Sequence, residues 1–120
     1  EKRNAMLPEM LNELKHAIDS AQDALAITLI GQGKTFCAGF DLKACAQDQS
    51  GDTMRSLLSG LSDCVRAMRE HPALVVLGVH GAAVAGGCAL LGGADVIVAD
   101  RNAKLGYPVV KIGKTKGKEE

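Results

Sequence analysis

A chain of 120 residues suffices for one small domain with a modest core, and 14 basic against 14 acidic side chains leave no net field to draw in nucleic acid or an anionic membrane face. Two Phe, one Tyr and no Trp mean that the core is aliphatic, with 14 glycines letting backbones approach closely. Four cysteines without CxxC spacing and three histidines without an HxxxH pair argue against a metal site and for free thiols in a reducing compartment.

Leu7, Met10, Leu11, Leu14, Ala17, Ile18 and Ala21 recur at spacings of three and four, which predicts an amphipathic helix with Pro8 in its first turn. Residues 24–30 are a short apolar run closed by Gly31 and Gly33, read as a buried parallel strand. Residues 36–39 form a tight, small-residue segment, residues 41–45 turn helical, and residues 47–52 make a polar surface loop. Met54, Leu57, Leu58, Leu61, Val65 and Met68 mark a second amphipathic helix, with Gly60 inside it and Pro72 beyond its end. Residues 74–79 read as a second buried strand. It runs into the small-residue stretch 81–87, a short helical run at 88–91, and a third strand at 95–99. This order predicts an α/β domain over residues 1–113 with parallel crossovers and no second domain. Residues 114–120 are charged, with nothing apolar to anchor them, and are expected to be a disordered tail. No apolar run is long enough to span a bilayer.

Several motifs fail on inspection. Gly33-Lys34-Thr35 and Gly113-Lys114-Thr115 resemble the end of a phosphate-binding loop, but Thr28 and Pro108 stand where its first glycine belongs. The glycines from 86 to 93 do not give GxGxxG, and no serine lies in a GxSxG elbow. Two loops remain, residues 33–42 and 80–89, each following a strand. In open α/β sheets ligands settle beyond the carboxyl ends of strands. Glycine and alanine let a ligand reach the main chain, and a helix starting near Gly86 would aim free N–H groups and its dipole at a developing oxyanion.

These residues resemble the crotonase superfamily, the enoyl-CoA hydratase and isomerase fold. The resemblance runs from Glu1-Lys2-Arg3-Asn4-Ala5, similar to the family's PEKRNAL opening, through the two loops to Asp100-Arg101-Asn102-Ala103-Lys104-Leu105-Gly106, similar to its SENAKFG stretch. It implies a spiral of βαβ units with a mostly parallel sheet. The family's first strand and its C-terminal helical part, which covers the acyl pocket and builds trimers, are missing from these residues. With Glu1 in place of an initiating Met, the chain reads as a fragment, a shortened isoform or the ordered part of something longer.

Carried over by position, the resemblance makes the N–H of Phe40, after the Ala38-Gly39 pair, one oxyanion donor. The N–H of Gly86, in what is usually a GGG run and here reads Ala85-Gly86-Gly87, is the other. Ala38, Phe40, Asp41, Leu42 and Lys43 would lie along the acyl-pantetheine arm. Lys2, Arg3 and Lys43 would meet the CoA phosphates, although each reads equally as a solvated surface charge. Both loops also have a plainer reading, as tight turns packing sheet to helix.

The departures are chemical. Ala89 and Val109 stand where hydratases carry their two catalytic glutamates, and neither can move a proton. Asp41, Cys88, His80 and Tyr107 are the substitutes within reach, with Asp41 reading rather as a helix cap and His80 as structural. The resemblance thus implies an acyl-CoA thioester as ligand, an enolate stabilised by backbone N–H groups, and isomerase, lyase, hydrolase or decarboxylase chemistry rather than hydration. It implies no cofactor apart from the CoA of the substrate, no metal, no nucleic-acid or membrane partner, a homotrimer or hexamer, and the cytoplasm or mitochondrial matrix. The alternative is a non-catalytic acyl-CoA-binding or assembly subunit.

Overall fold

The architecture comes from a computed structural model that describes residues 4–106. Its first helix, α1, covers Pro8–Ser20, with Pro8 in the first turn and Leu11 and Ile18 buried. A short helix α2 follows at Leu42–Gln47, and the long helix α3 at Asp52–Glu70 buries Leu57, Cys64 and Met68. The loop before α3 is organised by Asp48, whose carboxylate accepts from the N–H and hydroxyl of both Ser50 and Thr53. Those donors, the Ser50 hydroxyl foremost, hold the Asp48 carboxyl well below the usual carboxylate range.

Helices α1 and α3 pack through the glycine that interrupts the α3 pattern. A Cβ on Gly60 would stand 3.2 Å from Leu11 Cδ1 and 3.3 Å from Leu11 Cβ, so the small residue admits the leucine. Beside it the Cys64 thiol donates to the Leu11 carbonyl at 3.2 Å, which satisfies a polar group inside the contact.

Three strands form a parallel sheet in the order β1-β2-β4: β1 at Ala26–Ile30, β2 at Leu74–Val79 and β4 at Val96–Ala99. Val75, Leu77 and Val79 of β2 are buried in the core with Leu11, Leu57 and Met68 of the helices. The alternate residues behave differently, and here the expectation of fully buried strands fails. Register sets Ile30 beside Gly78 and Val98, and Val96 beside Val76, on the face opposite those core residues. On that face Ile30 is 65% exposed and Val98 60% exposed, because the described helices cover the other side only.

The sequence reading also lacked two strands. Ala82–Val84 is β3 and Lys104–Gly106 is β5, paired in parallel as a second small sheet. Each has three residues, too few to show an alternating pattern. The helical run expected at 88–91 begins two residues earlier, as α4 at Gly86–Ala89, and continues as a 3-10 turn at Leu90–Gly93. The tail expected at 114–120 lies outside the described residues.

Candidate active site

The site is built around the segment 36–41, which is held from both sides. On one side Phe36 N donates to His80 O at 3.0 Å, Cys37 N to Ala82 O at 3.1 Å, and Val84 N to Cys37 O at 3.1 Å, which joins the segment to β3. The chain then turns at Gly39, whose φ is +94° and suits only glycine without strain. On the other side Met6 N donates to Gly39 O at 2.7 Å and Asp41 N to Met6 O at 2.9 Å.

Those last two bonds orient Phe40. Met6 engages the groups flanking it, so the N–H of Phe40 itself points away from Met6, since peptide groups alternate along an extended chain. The start of α4 lies close by. A Cβ on Gly39 would stand 3.1 Å from Val84 O and 3.5 Å from Gly86 N. A Cβ on Gly86 would stand 3.2 Å from Phe40 Cε1 and 2.7 Å from Met6 Cε. A Cβ on Gly87 would fall 2.5 Å from Cys37 O. Packing of the turn on the segment thus requires glycine at 87 and favours it at 86.

Gly86 is the first residue of α4, so its N–H has no partner within the helix. Among the described residues no group accepts the N–H of Phe40 or that of Gly86. With only four residues, α4 offers N–H groups but little of the dipole expected of it. The turn that presents Gly86 is itself unusual. Ala85 sits at φ 50°, ψ −117°, a conformation that L residues rarely adopt, and its N–H donates to Gly106 O at 2.8 Å. Strand β5, legible in the sequence only as part of a family-like stretch, thereby fixes the turn.

A second fixture was missed in the sequence because it depends on one side chain reaching across more than twenty-five positions. Asn4 Nδ2 donates to Gln32 O at 2.9 Å and Thr35 O at 2.8 Å, tying the opening of the chain to the first loop. His80 serves the same loop, donating from Nε2 to Gly33 O at 2.6 Å, in keeping with the structural role expected of it.

The other expected residues divide clearly. Asp41 is 7% exposed and caps α2, accepting from Ala44 N at 3.0 Å. Ala38 is half-buried beside it, Lys43 is exposed and Leu42 is 62% exposed, so the segment runs from the interior outward. Cys88 is half-buried on α4, while burial raises the Cys37 thiol pKa and keeps that sulfur protonated. Ala89, half-buried, lines an open groove against α3. Lys2, Arg3, Tyr107 and Val109 lie outside the described residues. Among the described residues no group of three His, Cys, Asp or Glu side chains could hold a metal ion, and no helix is long and apolar enough to cross a membrane.

The family model for enoyl-CoA hydratase/isomerase matches residues 1–119. The chain belongs to this family. It is similar to enoyl-CoA hydratase EchA19 of Mycobacterium tuberculosis, at 36% identity over 114 residues that make up 91% of this chain and 43% of that one. Among solved structures, an enoyl-CoA hydratase from Mycobacterium smegmatis has a TM-score of 0.84 at 33% identity, covering 93% of this chain and 45% of that chain. The human enoyl Coenzyme A hydratase domain-containing protein 3 has a TM-score of 0.82 at 32% identity, covering 93% and 46%. The expected α/β, mostly parallel, crotonase-like fold is therefore the fold of this chain. The chain spans less than half the length of these relatives.

Proposed function

We propose that the protein binds an acyl-CoA thioester with its carbonyl oxygen between the N–H groups of Phe40 and Gly86, and so favours the enolate. The observation that carries this reading is the convergence of two loops, each with an N–H that no described group accepts, at a place where glycines let the two backbones pack closely. Preorganised backbone donors of this kind stabilise negative charge as it develops, without reorganisation at the moment of reaction. Ala38 and Leu42 would border the pantetheine arm, with Asp41 shaping the turn from within. Lys43, and in the same reading Lys2 and Arg3, would face the CoA phosphates.

With alanine at 89 and valine at 109, the proton traffic of hydration has no carboxylate at either family position. The reaction is accordingly one that proceeds through the enolate with another group handling the proton: isomerase, lyase, hydrolase or decarboxylase chemistry. The same replacements favour a second reading, a non-catalytic acyl-CoA-binding or assembly subunit. Assembly into a homotrimer or hexamer, and residence in the cytoplasm or the mitochondrial matrix, belong to the proposal. A human relative whose name includes "mitochondrial" supports the latter location.

Calorimetry with a non-reactive acyl-CoA thioether tests the core of the reading. Saturable one-site binding that weakens when CoA is replaced by pantetheine is the expected result. Absence of binding by folded protein would overturn the acyl-CoA reading and leave only the assembly subunit.

A further inference from the structure

Beyond the carbonyl site, one groove of the molecule says something about the acyl group. It is an open channel of about 600 Å³ between the last turns of α3 and the α4 turn, and Ala89 forms part of its wall. Ala89 follows Gly86 by three residues, a single helical turn, and its N–H donates to Ala85 O at 3.0 Å. The groove wall and the N–H proposed to hold the thioester carbonyl thus belong to the same short turn, α4. Leu61, Val65 and Ala89 give it an apolar wall, while Arg66, Arg69 and Glu70 contribute charge.

The two guanidiniums are differently engaged. Arg66 Nη1 meets Asp63 at 3.1 Å in a pair whose side chains are 61% and 42% exposed. Such a pair is weak, and it leaves the remaining N–H groups of the fork available. Arg69 has no ion pair among the described residues. Glu70 is its neighbour in sequence, and side chains one residue apart on a helix do not face each other. Among the lining residues two positive charges thus stand against one negative charge, at the margin of an apolar wall.

Resting on the acyl-CoA reading, we infer that this groove receives the acyl chain beyond the thioester, and that Arg69 with Arg66 selects chains ending in a carboxylate. A carbon chain suits Leu61, Val65 and Ala89, and a terminal carboxylate suits the planar fork of an arginine. Ala89 places only a methyl on the α4 side of the groove. The same guanidiniums would accept a CoA phosphate, so the test must separate the two anions.

The experiment measures affinities of non-hydrolysable glutaryl and valeryl thioethers, equal in chain length and differing in carboxylate against methyl, each as CoA and as pantetheine derivative. The intact natural chain is compared with Arg69→Gln and with Arg66→Gln/Arg69→Gln, after thermal melts show that the variants remain folded. The expected result is a preference for glutaryl of about tenfold at low salt, shrinking as salt is raised. That preference should appear in both the CoA and the pantetheine series and fall towards one in the double variant. No preference in the parent protein, or a preference that survives the double variant, overturns the inference while leaving acyl-CoA binding intact. Equal losses for glutaryl-CoA and valeryl-CoA, with none in the pantetheine series, assign the arginines to a CoA phosphate and overturn it too. If no thioether binds at all, the acyl-CoA reading itself fails, and this inference fails with it.

Discussion

Replacing Ala85 by glycine isolates the cost of the turn that presents Gly86. At φ 50°, ψ −117° the alanine methyl is held in a sparsely populated region, a strain of about 1–3 kcal/mol. Glycine relieves that strain but returns roughly 0.4–1 kcal/mol through the greater freedom of the unfolded chain. The half-buried methyl contributes little burial of its own. The difference leaves Ala85→Gly more stable by about 1 kcal/mol, or roughly 3–6 °C in Tm for a chain of this size. Urea titration should show a higher midpoint with an unchanged slope. Ala38→Gly serves as the control, since Ala38 has no positive φ, and it should be less stable than the parent. If Ala85→Gly is destabilised to the same degree as Ala38→Gly, the strained turn does not exist as described, and the geometry of the Gly86 N–H must be redrawn.

Three further outcomes follow from the site and its surroundings. Gly86→Pro removes the second proposed donor, although its ring crowds Met6 and Phe40; in protein shown to remain folded, any turnover of an acyl-CoA should fall by about 10²–10³-fold, and undiminished turnover would discredit the donor assignment. Crotonyl-CoA should not be hydrated at a rate typical of hydratases, because general acid–base groups contribute ~10²–10⁴-fold each and the two positions proposed for them hold Ala89 and Val109; rapid loss of enoyl absorbance would show that another residue carries the proton. Asp48→Ala should lower stability at neutral pH, since the Ser50 and Thr53 donors depress the folded-state pKa of this carboxyl. That contribution is fully present above the unfolded value of about 4 and is lost as pH falls through the folded value. The urea midpoints of parent and variant should therefore converge in acid, and a constant gap down to acid pH would contradict the assignment.

Periodicity found α1 and α3 because their buried residues, Leu11 and Ile18 in one and Leu57, Cys64 and Met68 in the other, repeat along a single face. It misjudged the strands for a related reason. Val75, Leu77 and Val79 are buried, but apolar side chains also fill the opposite face, and a continuous apolar run does not disclose that one side lies open. Gly39 and Gly86 were legible as places where a ligand could reach the main chain; what the structure shows there is close packing within the protein, against Val84 O and the Phe40 ring. What the sequence did not disclose is how the two loops are held. The bonds from Asn4 to the Gln32 and Thr35 carbonyls and from Ala85 to the Gly106 carbonyl join distant positions. Asn4 and Gly106 lie in stretches that carry the family resemblance, but nothing local in them names the group each would meet.

The bond from Ala85 to Gly106 also imposes an order of assembly. A ribosome delivers chains from the N-terminal end, and contacts between distant positions wait for both partners. While the peptide is being made, the helices and the first two strands of the parallel sheet can associate before residues 104–106 have left the exit tunnel. The turn at Ala85 is by then outside the tunnel, but the carbonyl that holds it is not, and an alanine at that φ has little reason to stay there unaided. The N–H of Gly86, the second proposed donor, is thus among the last features of the described core to acquire its direction. A nascent chain arrested before β5 would possess both loops without the means to aim them.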